Sequence, residues 1–152
     1  MRAAAALILA AAAQGAAAQG MVFTTEGAVR YACGGAGVEE RQALKALEAE
    51  ANLKLLFVTQ KRGGFLADAE VTVTDSAGKA VLRTVAPGPV CVLRLPAGRY
   101  RVSAALGGLT RAATANVPAQ AGKPQSLVFT FPGEKWDGIW ASDEEKASAR
   151  SP

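Results

Sequence analysis

From Asn52 onward, apolar and polar residues alternate with a period of two. Leu53, Leu55 and Phe57 fall on one side of an extended chain and Lys54 on the other, which is the pattern of a strand with one buried face. The alternation returns through the rest of the chain and predicts further strands at residues 69–74, 80–85, 90–95, 99–106, 109–117 and 126–131, after a first at 52–60. Pro87, Pro89, Pro96, Pro118, Pro124 and Pro132 all fall between these runs, where a residue without a backbone donor interrupts no ladder. Within 99–106, Tyr100, Val102, Ala104 and Leu106 are expected to face a core, with Arg99, Arg101 and Ser103 turned to solvent. The predicted fold class is mainly β: a seven-stranded antiparallel β-sandwich with one N-terminal helix packed on it.

That helix is expected over about 38–51. Gly34-Gly35-Ala36-Gly37 breaks the chain ahead of it, and Leu44, Leu47 and Ala51 form one apolar stripe. Glu39 and Glu40 sit in its first turn, where the helix dipole favours negative charge. Residues 20–31 read either as a leading strand or as an extended arm, so 20–51 is taken as arm plus helix and 52–132 as the sandwich. Residues 133–152 are polar and rich in breakers, and are expected to form a flexible tail. Trp136 and Trp140 stand out there, as anchors packing on the domain or as a recognition element for a partner.

The run Leu95-Pro96-Ala97-Gly98-Arg99-Tyr100-Arg101-Val102 resembles the L-P-x-G-x-Y-x-V stretch of carboxypeptidase regulatory-like domains. The resemblance implies a transthyretin-like or immunoglobulin-like topology and an accessory role as spacer, binding module or scaffold. The stretches from Tyr31 to Arg41 and from Gly63 to Val71 look like those of small exported proteobacterial proteins that carry such a domain and have no assigned activity. Fold alone does not settle function.

Of the 152 residues, the first 19 read as a signal peptide: Met1-Arg2, an apolar run from Ala3 to Ala13, and small residues offering cleavage after Ala13 or Ala18. Gln14, Gly15, Gln19 and Gly20 stop the run short of a span. Periplasmic or secreted localisation is expected, unless Met21 is the true start. Two cysteines, Cys33 and Cys91, permit one intramolecular bridge in an oxidising compartment. Alternatively, Cys91 is a small buried hydrophobe with a free thiol.

Histidine is absent, which removes the commonest general base and zinc ligand. Neither a metallocarboxypeptidase-type site nor the histidine-dependent transthyretin-like hydrolase chemistry is expected. No enzyme activity and no cofactor is predicted. Asp68 and Glu70, two apart on a predicted strand, share a face but lack an accompanying nucleophile or metal set. Lys54, Asn116 and Glu70 are the residues from which a Lys-Asn crosslink would have to be built. The glycine-rich loop before the helix invites a phosphate reading, but Glu39 and Glu40 already supply negative charge there and no Gly-Lys-Ser/Thr follows.

Charge is unevenly distributed. Between Asp75 and Glu134 there is no acid, while Lys79, Arg83, Arg94, Arg99, Arg101, Arg111 and Lys123 all lie in the interval. Arg83, Arg94, Arg99, Arg101 and Arg111 are the candidate face for a partner or anion, since guanidinium matches carboxylate and phosphate in its planar fork. The expectation is an interaction or scaffold module of the bacterial envelope with a protein partner, or a binder of anionic lipid or polysaccharide. Neither a nucleic-acid partner nor a transmembrane span is expected.

Overall fold

A computed structural model describes residues 21–60 and 63–132. The expected signal peptide and the tail with Trp136 and Trp140 lie outside the described residues. Nine strands and one helix follow in chain order: β1 (Thr24–Glu26), β2 (Val29–Gly34), α1 (Val38–Leu47), a 3₁₀ turn (Glu48–Glu50), β3 (Leu53–Thr59), β4 (Ala69–Thr74), β5 (Ala80–Ala86), β6 (Val90–Arg94), β7 (Gly98–Leu106), β8 (Leu109–Val117) and β9 (Gln125–Phe131). The first sheet runs β1-β2-β6-β3-β9 and the second β5-β4-β7-β8.

Their inner faces share one core. Leu53, Leu55, Phe57, Cys91, Leu93, Phe129 and Phe131 from the first sheet meet Val71, Val73, Leu82, Tyr100, Val102, Ala104, Ala115 and Val117 from the second. The alternation that predicts each strand is therefore the alternation that fills this core. Phe57 and Phe129 stack with ring centroids 5.8 Å apart.

Three expectations need correction. The strand count is nine rather than seven, because β1 and β2 precede the helix and β2 pairs antiparallel with β6. The pairing is not wholly antiparallel: β9 lies parallel to β3, Leu53 opposite Gln125 through Thr59 opposite Phe131. A period-two pattern is the same in either direction, so alternation does not show orientation. The helix ends at Leu47 rather than near Ala51. A 3₁₀ turn follows, closed by Ala51 N–H donating to Glu48 O at 3.2 Å, because the backbone must become extended to deliver Asn52 to its partners.

Asn52 is fully buried and fully bonded. Its Nδ2 donates to Leu95 O at 2.7 Å and to Pro118 O at 2.9 Å, and its Oδ1 accepts from Leu95 N–H at 2.9 Å. Its own backbone donates to Leu93 O and accepts from Gln125 N–H. One side chain thus ties the start of β3, the end of β6 and the β8–β9 connection, and a buried amide is tolerated because its partners are in place.

The helix packs on the outside of the first sheet. Leu44, with Leu47 beside it, meets Ala32, Val90, Val92 and Leu56. Strand β6 is consequently buried on both faces, Cys91 and Leu93 inward and Val90 and Val92 toward the helix. The loop leading into α1 holds itself closed: Glu40 Oε2 accepts from Gly35 N–H at 2.9 Å and Ala36 N–H at 3.1 Å, and Arg41 donates to Gly35 O. The anion that a glycine-rich loop would attract is thus the chain's own carboxylate.

Candidate functional site

The outer face of the second sheet has no helix against it among the described residues, and register defines its composition. Arg83 lies opposite Thr72, Thr72 opposite Ser103, Thr74 opposite Arg101, Arg101 opposite Thr114, and Arg99 opposite Asn116. Directly opposed residues share a face, so Arg83, Arg99 and Arg101 stand together among hydroxyl and amide side chains. All three are exposed. Arg99 and Arg101 are about 7 Å apart along β7, and Arg83, two strands away and level with Ser103, is roughly 12 Å from Arg101 and about 17 Å from Arg99. Glu70, opposite Val85 and Ala105, is the single acid among the described residues of this face. None of the three arginines has an ion-pair partner among the described residues.

The remaining two candidate arginines are elsewhere. Arg111 is opposite Ala104, a core position, and so lies on the inner side, exposed near the start of β8. There its Nε donates to Thr130 O of β9 at 3.2 Å, joining the edges of the two sheets. Arg94 is opposite Arg30 on the outside of the first sheet and donates to Ala119 O at 2.9 Å. The five arginines therefore do not form one surface; three do.

Cys33 and Cys91 are directly opposed on β2 and β6 and joined by a disulfide, with Cα atoms 4.1 Å apart. Cys91 is in the core and Cys33 at its margin. The bond links the N-terminal strand pair to the central strand of the first sheet, and its position is structural.

A cleft of about 430 Å³ opens at one end of the molecule, where Glu26–Val29, Asp75, Lys79–Val81, Pro96 and Tyr100 meet. Asp75 Oδ1 accepts from Ala77 N–H and Lys79 N–H, holding the β4–β5 turn. Tyr100 is almost fully buried, and its hydroxyl donates to Pro96 O at 2.7 Å. This is a tyrosine corner, in which a strand tyrosine bonds back to backbone just upstream. Burial pushes the Tyr100 phenol above its ordinary pKa, and the nearby Asp75 carboxylate adds to the effect. Sequence reading missed this cleft because its lining comes from three separate turns.

The remaining acid and crosslink candidates come apart. Asp68 precedes β4 with φ +67°, a left-handed conformation, so it does not extend the face on which Glu70 lies. Lys54 is on the outside of the first sheet, paired with Glu48 at 2.5 Å, whereas Asn116 and Glu70 are on the outside of the second. No three His, Cys, Asp or Glu side chains converge as a metal-holding group among the described residues. No helix among them is long and apolar enough to cross a membrane. No family model matches the chain, and no curated protein matches it significantly.

Proposed function

We propose that this chain is a non-catalytic, exported interaction module of the bacterial envelope, a sandwich of the carboxypeptidase regulatory-like kind that binds a protein partner on the outer face of its second sheet. The observation that carries this reading is the asymmetry of the two outer faces. One is covered in part by α1; the other has no helix on it among the described residues and presents Arg83, Arg99 and Arg101 with one acid among them. A sheet surface bearing exposed guanidinium groups suits a partner face bearing carboxylates, where each fork can engage in two parallel bonds. The tyrosine corner at Tyr100 supports the family reading, since the tyrosine of L-P-x-G-x-Y-x-V is the residue that makes it.

A second reading, binding of anionic lipid or polysaccharide, is favoured by the same three unpaired cations. The experiment that separates the two is capture of envelope material by the full chain and by an Arg99→Glu/Arg101→Glu variant, at low and high salt. Retention of one protein at both salt levels, lost in the variant, supports the first reading. Anionic lipid or polysaccharide released by salt supports the second. Capture unchanged by the charge reversal overturns both.

A further inference from the structure

The cleft at the end of the sandwich lies between the β1–β2 hairpin, the β4–β5 turn and the β6–β7 connection. Its floor is apolar and held in place. Val29 is 2% exposed and Tyr100 7%, Val81 packs against the same core, and the Tyr100 hydroxyl is tied to Pro96 O. The β4–β5 turn beside it is closed by Asp75 N–H donating to Lys79 O at 2.9 Å and Gly78 N–H to Asp75 O at 3.0 Å. The cleft volume of about 430 Å³ falls within the roughly 300–1,000 Å³ of small-molecule pockets.

Its rim carries charge of both signs. Glu26 and Lys79 are exposed, Asp75 is half-buried, and all three line the cleft. They do not neutralise one another, since the one ion pair among the described residues joins Lys54 and Glu48 on the first sheet. The hydrogen bonds that Asp75 accepts from its own turn go to Oδ1, which leaves its other oxygen unengaged among the described residues. Burial, and after it the Asp75 carboxylate, raise the Tyr100 pKa, so the field of that carboxylate reaches the phenol on the floor. Opposite charges that line a cleft without pairing suit a ligand that carries both. A simple cation would be left beside Lys79, and a simple anion beside two carboxylates. A zwitterion satisfies both signs, while its apolar body displaces water from Val29, Val81 and the Tyr100 ring.

We propose that this cleft binds a small zwitterion with an apolar body, the chemistry shared by apolar α-amino acids and short apolar peptides. The ammonium sits between Glu26 and Asp75, the carboxylate meets Lys79, and the apolar body rests on Val29, Val81 and Tyr100. The site is independent of the arginine face, and neither reading of that face requires it.

The experiment is calorimetric titration of the full chain with L-phenylalanine, with the dipeptide of two phenylalanines, and with two analogues: phenethylamine, which lacks the carboxylate, and hydrocinnamate, which lacks the ammonium. Saturable binding of a zwitterion is expected, with each analogue weaker by about tenfold. Glu26→Gln should weaken L-phenylalanine and phenethylamine but not hydrocinnamate, whereas Lys79→Gln should weaken L-phenylalanine and hydrocinnamate but not phenethylamine. Both positions are exposed, so both variants should keep the far-UV circular dichroism of the parent. Ala28→Trp, a bulky ring at an exposed lining position, should abolish binding. Lys45→Gln, the same charge change on α1, should leave binding unaltered. Tighter binding of the amino acid or of the dipeptide assigns the source of the zwitterion. The proposal is overturned by the absence of saturable binding of either one, by analogues that bind as well as L-phenylalanine, or by binding that both rim variants leave unchanged.

Discussion

The two sheets differ in what holds them. The first carries α1 outside, a disulfide between β2 and β6, a buried asparagine at the foot of β3 and a parallel closing strand. The second is an antiparallel run with one register shift at Val73/Thr74, covered on its inner face and open on its outer one. The disulfide, the buried asparagine and the helix all tie the first sheet, and open surface is left to the second. Exposed strand positions tolerate substitution because few contacts depend on them, which is the condition under which a face can be shaped for a partner.

Substitutions should reproduce this contrast. Removing the disulfide with Cys33→Ala/Cys91→Ala is expected to have the largest effect. Release of a loop with a sequence separation of 58 residues costs about 4 kcal/mol in the chain-entropy model, read as a fall in denaturant midpoint. Asn52→Ala should follow at about 3 kcal/mol, because it strands Leu95 N–H and the carbonyls of Leu95 and Pro118 together. Asn52→Asp should be worse, since its acceptor would face two carbonyls.

Gly88→Ala comes next. A Cβ there would lie 2.3 Å from Gly34 O, so the backbone beside Cys33 must shift, at a cost of about 2 kcal/mol. If chemical denaturation shows this variant as stable as the parent, the close approach of the two segments is wrong.

Within the second sheet the effects should be smaller. Tyr100→Phe removes one hydroxyl bond and should cost about 1 kcal/mol. It also has a pH signature. The folded-state pKa of Tyr100 is raised above its ordinary value of 10.0, so the native state holds this proton more tightly. Its contribution is complete below pH 10.0 and is lost as pH rises through the folded-state value. The parent should therefore lose stability in that alkaline range more steeply than the phenylalanine variant, as thermal melts across the range will test. Smallest of all, Arg99→Glu/Arg101→Glu should change stability by no more than about 0.5 kcal/mol. A larger loss would show that the open face takes part in holding the fold together.

The sequence revealed the strands of the second sheet and their facing most clearly, because each has one wet side and the alternation is clean. Strand β6 is harder to read: with Val90 to Leu93 buried on both faces, nothing in its composition distinguishes inside from outside, so sequence does not show that Arg94 lies on the first sheet and apart from Arg83, Arg99 and Arg101. Arg111 is a different case. It shares its phase with Ala115 and Val117, both core positions, so the signal was present and the cluster of cations in sequence obscured it. The N-terminal strands are legible only as one of two readings, leading strand or extended arm, for a third reason. The partner of β2 lies on the far side of the helix and three further strands, and pairing over that distance leaves no local trace. Asn52 reads from sequence as an ordinary strand-opening polar residue; only the assembled carbonyls of Leu95 and Pro118 give its amide a purpose.

The parallel pairing of β3 with β9 has a consequence for how the molecule is made. Leu53 must wait for Gln125, and Thr59 for Phe131, so one edge of β3 stays bare until nearly all of the described chain has emerged in synthesis. Contacts so distant in sequence form slowly, and an apolar strand with an unsatisfied edge is what aggregates or recruits a chaperone in the interval. Among the described strands, β9 is the last that β3 can take as a neighbour.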